Sequence, residues 1–310
     1  MKVCFIGMCG HSMQAYSVLK QRPNVELCGV APGSSHENMT ASFDEAIPFY
    51  PSYTEMLNTV HPDLAVVSPV FGLTSQVILE CTARGIDVFS EKPVATTLDE
   101  LDRVEKAVRE SGIRFGAMHY LRCDPAFYQG AKMVREGAIG EVRLMTAQKS
   151  YRFGKRPAWY SDPDLYGGTI PWVGIHAIDW VYAFSNKRFL RVTAQTCGSP
   201  DMTALCQFEM EDGVMASVNL DYYRPETAPT HGDDRIRCAG TKGVLEVRDG
   251  KIHLINQNGV QIITPTEAPE LLESFLNGTP VMEADEIFYL TRVALAAKKA
   301  ANQHNTVTIM

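Results

Sequence analysis

The sequence predicts an α/β fold: a doubly wound parallel sheet first, then a strand-rich second part. Three observations predict it. Over residues 1–120, short β-rich runs alternate with helical patterns, the rhythm of βαβ units. The first strand runs into a glycine-bearing turn and then a helix, the context a dinucleotide fingerprint requires. From Val192 to Ile263 strands dominate, with Asp212-Gly213 and Asp249-Gly250 as hairpin turns. At 310 residues the chain is long enough for two domains, here 1–120 and 121–310, with the last segment able to pack back on the first.

Lys2 to Gly7 is the first strand, and a helix runs from Met13 to about Gln21. Between them lies a degraded G-x-G-x-x-G: Gly7 fits the first position, Cys9 the second and Ser12 the third. Gly10 can supply the close backbone approach. The helix N-terminus, with His11 and Ser12, favours a pyrophosphate. The second strand, Val25–Ala31, has no acid at its end; Pro32-Gly33-Ser34-Ser35 follows. An uncharged loop removes the repulsion an acid exerts on a 2′-phosphate, so the expectation is NAD or NADP with a slight lean to NADP.

Leu64 to Pro69, including Ser68, is a continuous apolar third strand, as a sheet covered on both faces demands. Thr74 is expected to cap the next helix and Gly85 to end it. Ile86–Phe89 is the fourth strand. Pro93 cannot donate to a ladder, so Glu91 and Lys92 fall at the strand's carboxyl end, which faces the ligand crevice in open α/β sheets. Thr97 and Glu100 form a capping box for a helix through Val108, and Ile113–Met118 is the fifth strand.

Asp124-Pro125 starts a helix that ends near Gly137, and Val142 to Tyr151 is a strand. Tyr151 to Tyr160, including Trp159, mixes aromatics with cations, a composition suited to stacking and hydrogen-bonding a sugar. Gly167-Gly168-Thr169 opens a helix on which Trp172, His176, Asp179 and Trp180 share one face at i, i+4, i+7 and i+8. His231 and Asp233 can reach a cleft or a metal, although an Asp–Arg pair pinning the loop is preferred; no metal site is expected. A final amphipathic helix runs from Ala284 to about Asn302, before a closing strand at Thr306–Ile309.

Composition narrows the function. Hydrophobic residues at 45% and charged residues at 21% are those of a soluble globular protein. A net charge of −7 and the lack of a basic arm argue against nucleic acid or an anionic membrane as partner. No apolar run spans a bilayer and no separate export signal precedes the first strand, so the expected location is cytoplasmic. The eight cysteines are scattered and lack C-x-x-C. Buried thiols in a reducing compartment are expected, not a zinc site.

The motifs recur in one order. They are the degraded glycine turn, Glu91-Lys92-Pro93, Arg122-Cys123-Asp124-Pro125-Ala126-Phe127, Gly140-Glu141-Val142, Gly174-Ile175-His176-Ala177-Ile178-Asp179 and Gly240-Thr241-Lys242-Gly243. This order resembles the Gfo/Idh/MocA oxidoreductases, named for glucose–fructose oxidoreductase and inositol 2-dehydrogenase, from Val3 to Ile309. The resemblance implies an N-terminal Rossmann domain and a C-terminal α+β domain with a large open, mostly antiparallel sheet, through which a homodimer or homotetramer forms. It implies hydride transfer between NAD(P) and a sugar or polyol carbon. Lys92 matches the family lysine near nicotinamide and substrate hydroxyls, and His176 its acid/base histidine. The family pattern places an aspartate four residues before that histidine; here the position is Trp172.

The expected function is NAD(P)-dependent oxidation or reduction of a sugar or cyclic polyol derivative. His176 takes the hydroxyl proton as hydride leaves and Lys92 holds the alkoxide. Gly7, Cys9, Gly10, His11, Ser12, Ser34, Ser68, Glu91 and Lys92 are expected to hold the cofactor. Arg122, Tyr151, Trp159, Trp172, Asp179 and His231 are expected to hold the substrate. Two alternatives stand beside this: a redox-neutral lyase, glycosidase or epimerase with retained NAD, and a non-enzymatic ligand sensor.

Overall fold

The computed structural model describes all residues except 38, 40–42, 45, 199 and 310. It divides into two compact units. The first comprises 1–119, 162–167 and 270–291, and the second comprises 120–161, 168–269 and 292–310.

The first unit holds a five-stranded parallel sheet in the order β2-β1-β3-β4-β5. The strands are β1 (Lys2–Ile6), β2 (Glu26–Ala31), β3 (Leu64–Val67), β4 (Asp87–Ser90) and β5 (Phe115–Ala117). All four residues of β3 are buried, which is why that strand reads as an unbroken apolar run. Helices α1 (Ser12–Leu19), α2 (Tyr53–Val60), α3 (Thr74–Thr82) and α4 (Leu98–Ser111) follow β1, β2, β3 and β4. The Thr97–Glu100 capping box forms in full. Thr74 is not a cap. A 3₁₀ turn over Phe71–Leu73 runs straight into α3, so Thr74 is already helical and makes no capping bond. The returning segment contributes α8 (Leu271–Leu276), whose Phe275 ring lies 5.4 Å from Phe89.

The second unit is built on a nine-stranded sheet, β13-β12-β11-β10-β6-β9-β8-β7-β14. Its strands are β6 (Val142–Tyr151), β7 (Phe189–Cys197), β8 (Thr203–Met210), β9 (Met215–Asp221), β10 (Gly232–Gly240), β11 (Gly243–Arg248), β12 (Lys251–Asn256), β13 (Gly259–Ile263) and β14 (Val307–Thr308). All pairs are antiparallel except β6 with β9. Asp249 and Gly250 both take positive φ, 52° and 67°, as a tight hairpin between β11 and β12 needs. Helix α5 (Pro125–Arg135) is capped by Asp124, which accepts from the Ala126 and Phe127 N–H groups. Helix α7 (Ile175–Ser185) is buried at ten of its eleven residues. A short helix, α6 (Pro163–Tyr166), belongs to the first unit, and a long one, α9 (Ala284–Gln303), is shared by both.

Candidate active site

In the first unit, four loops gather at the carboxyl ends of β1 to β4. The glycine turn is held from two sides. The Gly7 N–H donates to Ala31 O (2.9 Å) and the Cys9 N–H to Ser68 O (2.8 Å), while the Ser68 hydroxyl donates back to Cys9 O. Gly7 has φ +79°, and a Cβ there would stand 2.3 Å from Ser68 O and 2.5 Å from the Pro69 backbone. Only glycine fits, as the first fingerprint position requires. Gly10 also takes positive φ, and His11 then precedes α1. The Ser12 hydroxyl, at the first residue of α1, is buried and has no hydrogen-bond partner among the described residues. An orphaned hydroxyl beside the free N–H groups of a helix start fits an anion such as a pyrophosphate. The Cys9 thiol is a poor nucleophile, because burial, then Glu37 and Glu91, push its pKa far upward.

Glu91 and Lys92 are fully buried and 1% exposed, respectively. Glu91 ties β4 to the glycine turn. It accepts the His11 N–H at 2.5 Å, and the His11 Nδ1 lies 3.0 Å and 3.1 Å from its two oxygens. It also accepts the Lys92 N–H at 2.9 Å. Burial alone would raise the Glu91 carboxyl, but His11 and then Lys92 hold it below its ordinary value. Glu91 is therefore an anion that positions His11 and the backbone of Lys92.

The loop after β2 contains an acid that sequence reasoning missed. Glu37 stands six residues beyond Ala31, outside the strand end where an acid was sought. Its carboxylate accepts from the Met8 N–H (3.3 Å), the Val70 N–H (3.2 Å) and the Ser34 hydroxyl (3.3 Å). Burial raises its pKa, although these three bonds oppose the rise.

In the second unit, a π-helical turn over Ile170–Gly174 leads into α7. Trp172 lies in that turn, and His176 follows in the α-helix; both are buried, at 8% and 1% exposure. The change from π to α geometry falls between them, and four residues still make close to one full turn. Gly174 lets the turn approach β9; a Cβ there would stand 2.6 Å from the Leu220 side chain. Asp179 and Arg122 meet each other. The Arg122 guanidinium donates through Nε (2.8 Å) and a terminal nitrogen to one Asp179 oxygen, and both residues are buried. Tyr151 stands beside His231, with ring centroids 5.0 Å apart, and Trp159 against Tyr160 at 4.4 Å. His231 is exposed. Burial, then Arg156 and Arg152, lower its pKa. Asp233 pairs with Arg235, at 2.7 and 2.9 Å, but both lie within β10, so the pair joins two residues of one strand instead of pinning a loop.

Lys149 is a second omission. It follows Met145 and Ala147 on the inward face of β6, at the strand's period of two, and is fully buried. Its ammonium pairs with Asp234 and lies 4.3 Å from the Tyr151 ring centroid and 5.1 Å from that of Trp180. The apolar period was the signal; a cation at an inward strand position marks a buried ion pair. Among the described residues, no group of three metal-ligating side chains converges, and no helix is long and apolar enough to cross a membrane.

Comparison with known proteins agrees with this architecture. Residues 1–119 match the model of an oxidoreductase family with an NAD-binding Rossmann fold, and residues 127–246 match the GFO/IDH/MocA C-terminal domain. A solved Thermotoga maritima structure, provisionally named an oxidoreductase, is 36% identical with a TM-score of 0.95 over 100% of both chains. The D-xylose 1-dehydrogenase (NADP(+)) 2 of Haloferax volcanii is 25% identical over 86% of this chain and 78% of its own. The trans-1,2-dihydrobenzene-1,2-diol dehydrogenase of Xenopus tropicalis is 22% identical over 64% of this chain and 59% of its own. Two further curated relatives are spanned over 35% and 50% of their length. Both domain models match in the expected order, and the chain belongs to the Gfo/Idh/MocA oxidoreductase family.

Proposed function

We propose that the chain is an NAD(P)-dependent oxidoreductase that moves a hydride to or from a hydroxyl-bearing carbon of a sugar or cyclic polyol derivative. The buried Glu91–Lys92 step carries this reading. It places a lysine at the carboxyl end of β4 and ties it through Glu91 to the glycine turn of an NAD-binding Rossmann domain. The curated relatives include a D-xylose dehydrogenase, which supports a sugar as substrate class.

A nicotinamide dinucleotide, when bound, supplies the hydride acceptor or donor. Gly7, Gly10, His11 and Ser12 hold its pyrophosphate at the start of α1. Cys9 and Ser68 keep the turn in shape through their mutual bonds. The protein's own chemistry is a proton transfer. His176 exchanges the proton of the substrate hydroxyl, and the Lys92 ammonium stabilises the oxygen as it gains charge. Arg122 and Asp179, neutralised by each other, set the position of the α7 helix that bears His176. Tyr151, Trp159, Trp172 and His231 offer ring faces and polar edges to a sugar. The chain is also proposed to form a homo-oligomer through the nine-stranded sheet.

Lys92→Met tests the reading. The expected result is a fall in kcat of about a hundredfold or more, with dinucleotide affinity by calorimetry little changed. Unchanged turnover on the substrate that the wild type accepts would remove Lys92 from the chemistry.

A further inference from the structure

We infer that Glu37 is the residue that sets dinucleotide choice, and that it selects NAD over NADP. The inference rests on the dinucleotide reading above. Strand β2 ends at Ala31 without an acid, and the following residues to Ser35 are uncharged. The loop then folds back. It returns the Glu37 carboxylate to the Met8 N–H in the glycine turn after β1, and to the Val70 N–H beyond β3. The strands β2, β1 and β3 are adjacent in that order, so one carboxylate bridges the loops at three neighbouring carboxyl ends. That edge is where open α/β sheets bind their ligands. Gly33 lets the loop lie flat there: a Cβ on it would stand 2.3 Å from the Pro69 side chain and 3.0 Å from a Glu37 oxygen.

The Met8 N–H, the Val70 N–H and the Ser34 hydroxyl reach Glu37 at 3.2 to 3.3 Å, longer than the usual N–H···O separation of about 2.9–3.0 Å. The Gly33 backbone also donates to it. These donors fix the carboxylate at the strand ends, where a ribose diol can add a further donor. A 2′-phosphate brings a charge of about −1.5 to −2 at neutral pH and no proton to donate. Residues 32–37 contain no lysine or arginine to offset the repulsion, and their one histidine, His36, is exposed. The uncharged strand end that favours NADP in the sequence is therefore answered by a carboxylate six residues on.

The test is isothermal calorimetry with NAD, NADP, 5′-ADP and 2′,5′-ADP on the wild type and on Glu37→Gln and Glu37→Asp. The wild type is expected to bind NAD at least tenfold more tightly than NADP, and 5′-ADP more tightly than 2′,5′-ADP. Glu37→Gln keeps the shape and removes the charge; it should cut both ratios about tenfold, chiefly by tightening the 2′-phosphorylated ligands. Glu37→Asp keeps the charge and should keep the preference. A merely structural role would weaken all four ligands together and leave the ratios unmoved, which overturns the inference. So does a wild type that binds NADP as well as NAD, and this result leaves the dinucleotide reading intact. A wild type that binds none of the four sinks both.

Discussion

A buried lysine and a part-buried aspartate face each other between β6 and β10. Burial lowers the Lys149 ammonium from 10.5 to about 8, despite its partner. Burial also raises the Asp234 carboxyl, despite Lys149. Both shifts favour the neutral forms, so desolvation outweighs the attraction between the charges. The pair is thus a weak source of stability, yet breaking it is costly. Lys149→Met alone should destabilise the fold by about 3 kcal/mol, because it strands a carboxylate whose second oxygen already has no partner among the described residues. The double variant Lys149→Met/Asp234→Leu should recover most of that loss. Urea midpoints of both single variants and the double variant measure this, and strictly additive effects would refute it. The pH dependence has a definite sign. Between about 8 and 10.5 the unfolded chain holds this proton more tightly than the folded one. The Lys149 contribution to stability therefore rises across that window as pH rises.

The helix bearing His176 shows where the sequence was legible and where it was not. The glycine turn, the Thr97 capping box and the Asp124 cap could be read because each is a local contract between residues two to four apart. Helices α2 and α8 went unread. The π turn at 170–174 was also hidden. It lies where Gly174 seats closely on Leu220 of β9, a contact between residues 46 positions apart. The site divides in the same way. Glu91 and Lys92 were visible from the proline that follows them. The Arg122–Asp179 pair and the Glu37 bridge join residues 57, 29 and 33 positions apart, and no local pattern announces them. The π turn also frames a prediction for Trp172, proposed to line the substrate pocket. Trp172→Asp should raise turnover of inositol-type polyols at least tenfold. It should also lower stability by about 1–3 kcal/mol, because a carboxyl replaces a buried indole. Initial rates on a polyol panel, beside a thermal melt, separate the two effects. A folded variant with no gain on any polyol would make Trp172 a packing residue.

At the scale of the molecule, the second unit's sheet has two unlike faces. Inward positions of β6 to β9 are buried and mostly apolar, Lys149 being the charged exception, whereas the outward ones are poor in charge. Register lays them in rows. One row is Leu144, Met215, Glu209 and Arg191, whose two charges pair with each other. The next is Thr146, Ser217, Gln207 and Thr193, and the third is Gln148, Asn219, Leu205 and Gln195. A sheet face made to meet water usually carries lysine and glutamate instead. Here Leu144, Leu205 and Met215 stay 44%, 44% and 57% exposed. Four strands about 4.8 Å apart and about 20 Å long give this charge-poor part of the face about 400 Å². That is about half of the roughly 800 Å² each partner buries in a standard stable interface. A second copy is therefore expected to centre on β6 to β9 and to reach the flanking strands for the rest. Light scattering on the eluting protein is expected to give a dimer or tetramer at micromolar concentration. Leu205→Glu with Met215→Glu places like charges in the centre of the face and should yield monomers with unchanged dinucleotide affinity. A wild type that is monomeric under those conditions would rule out assembly through this sheet, and an oligomer that survives both substitutions would move the interface elsewhere.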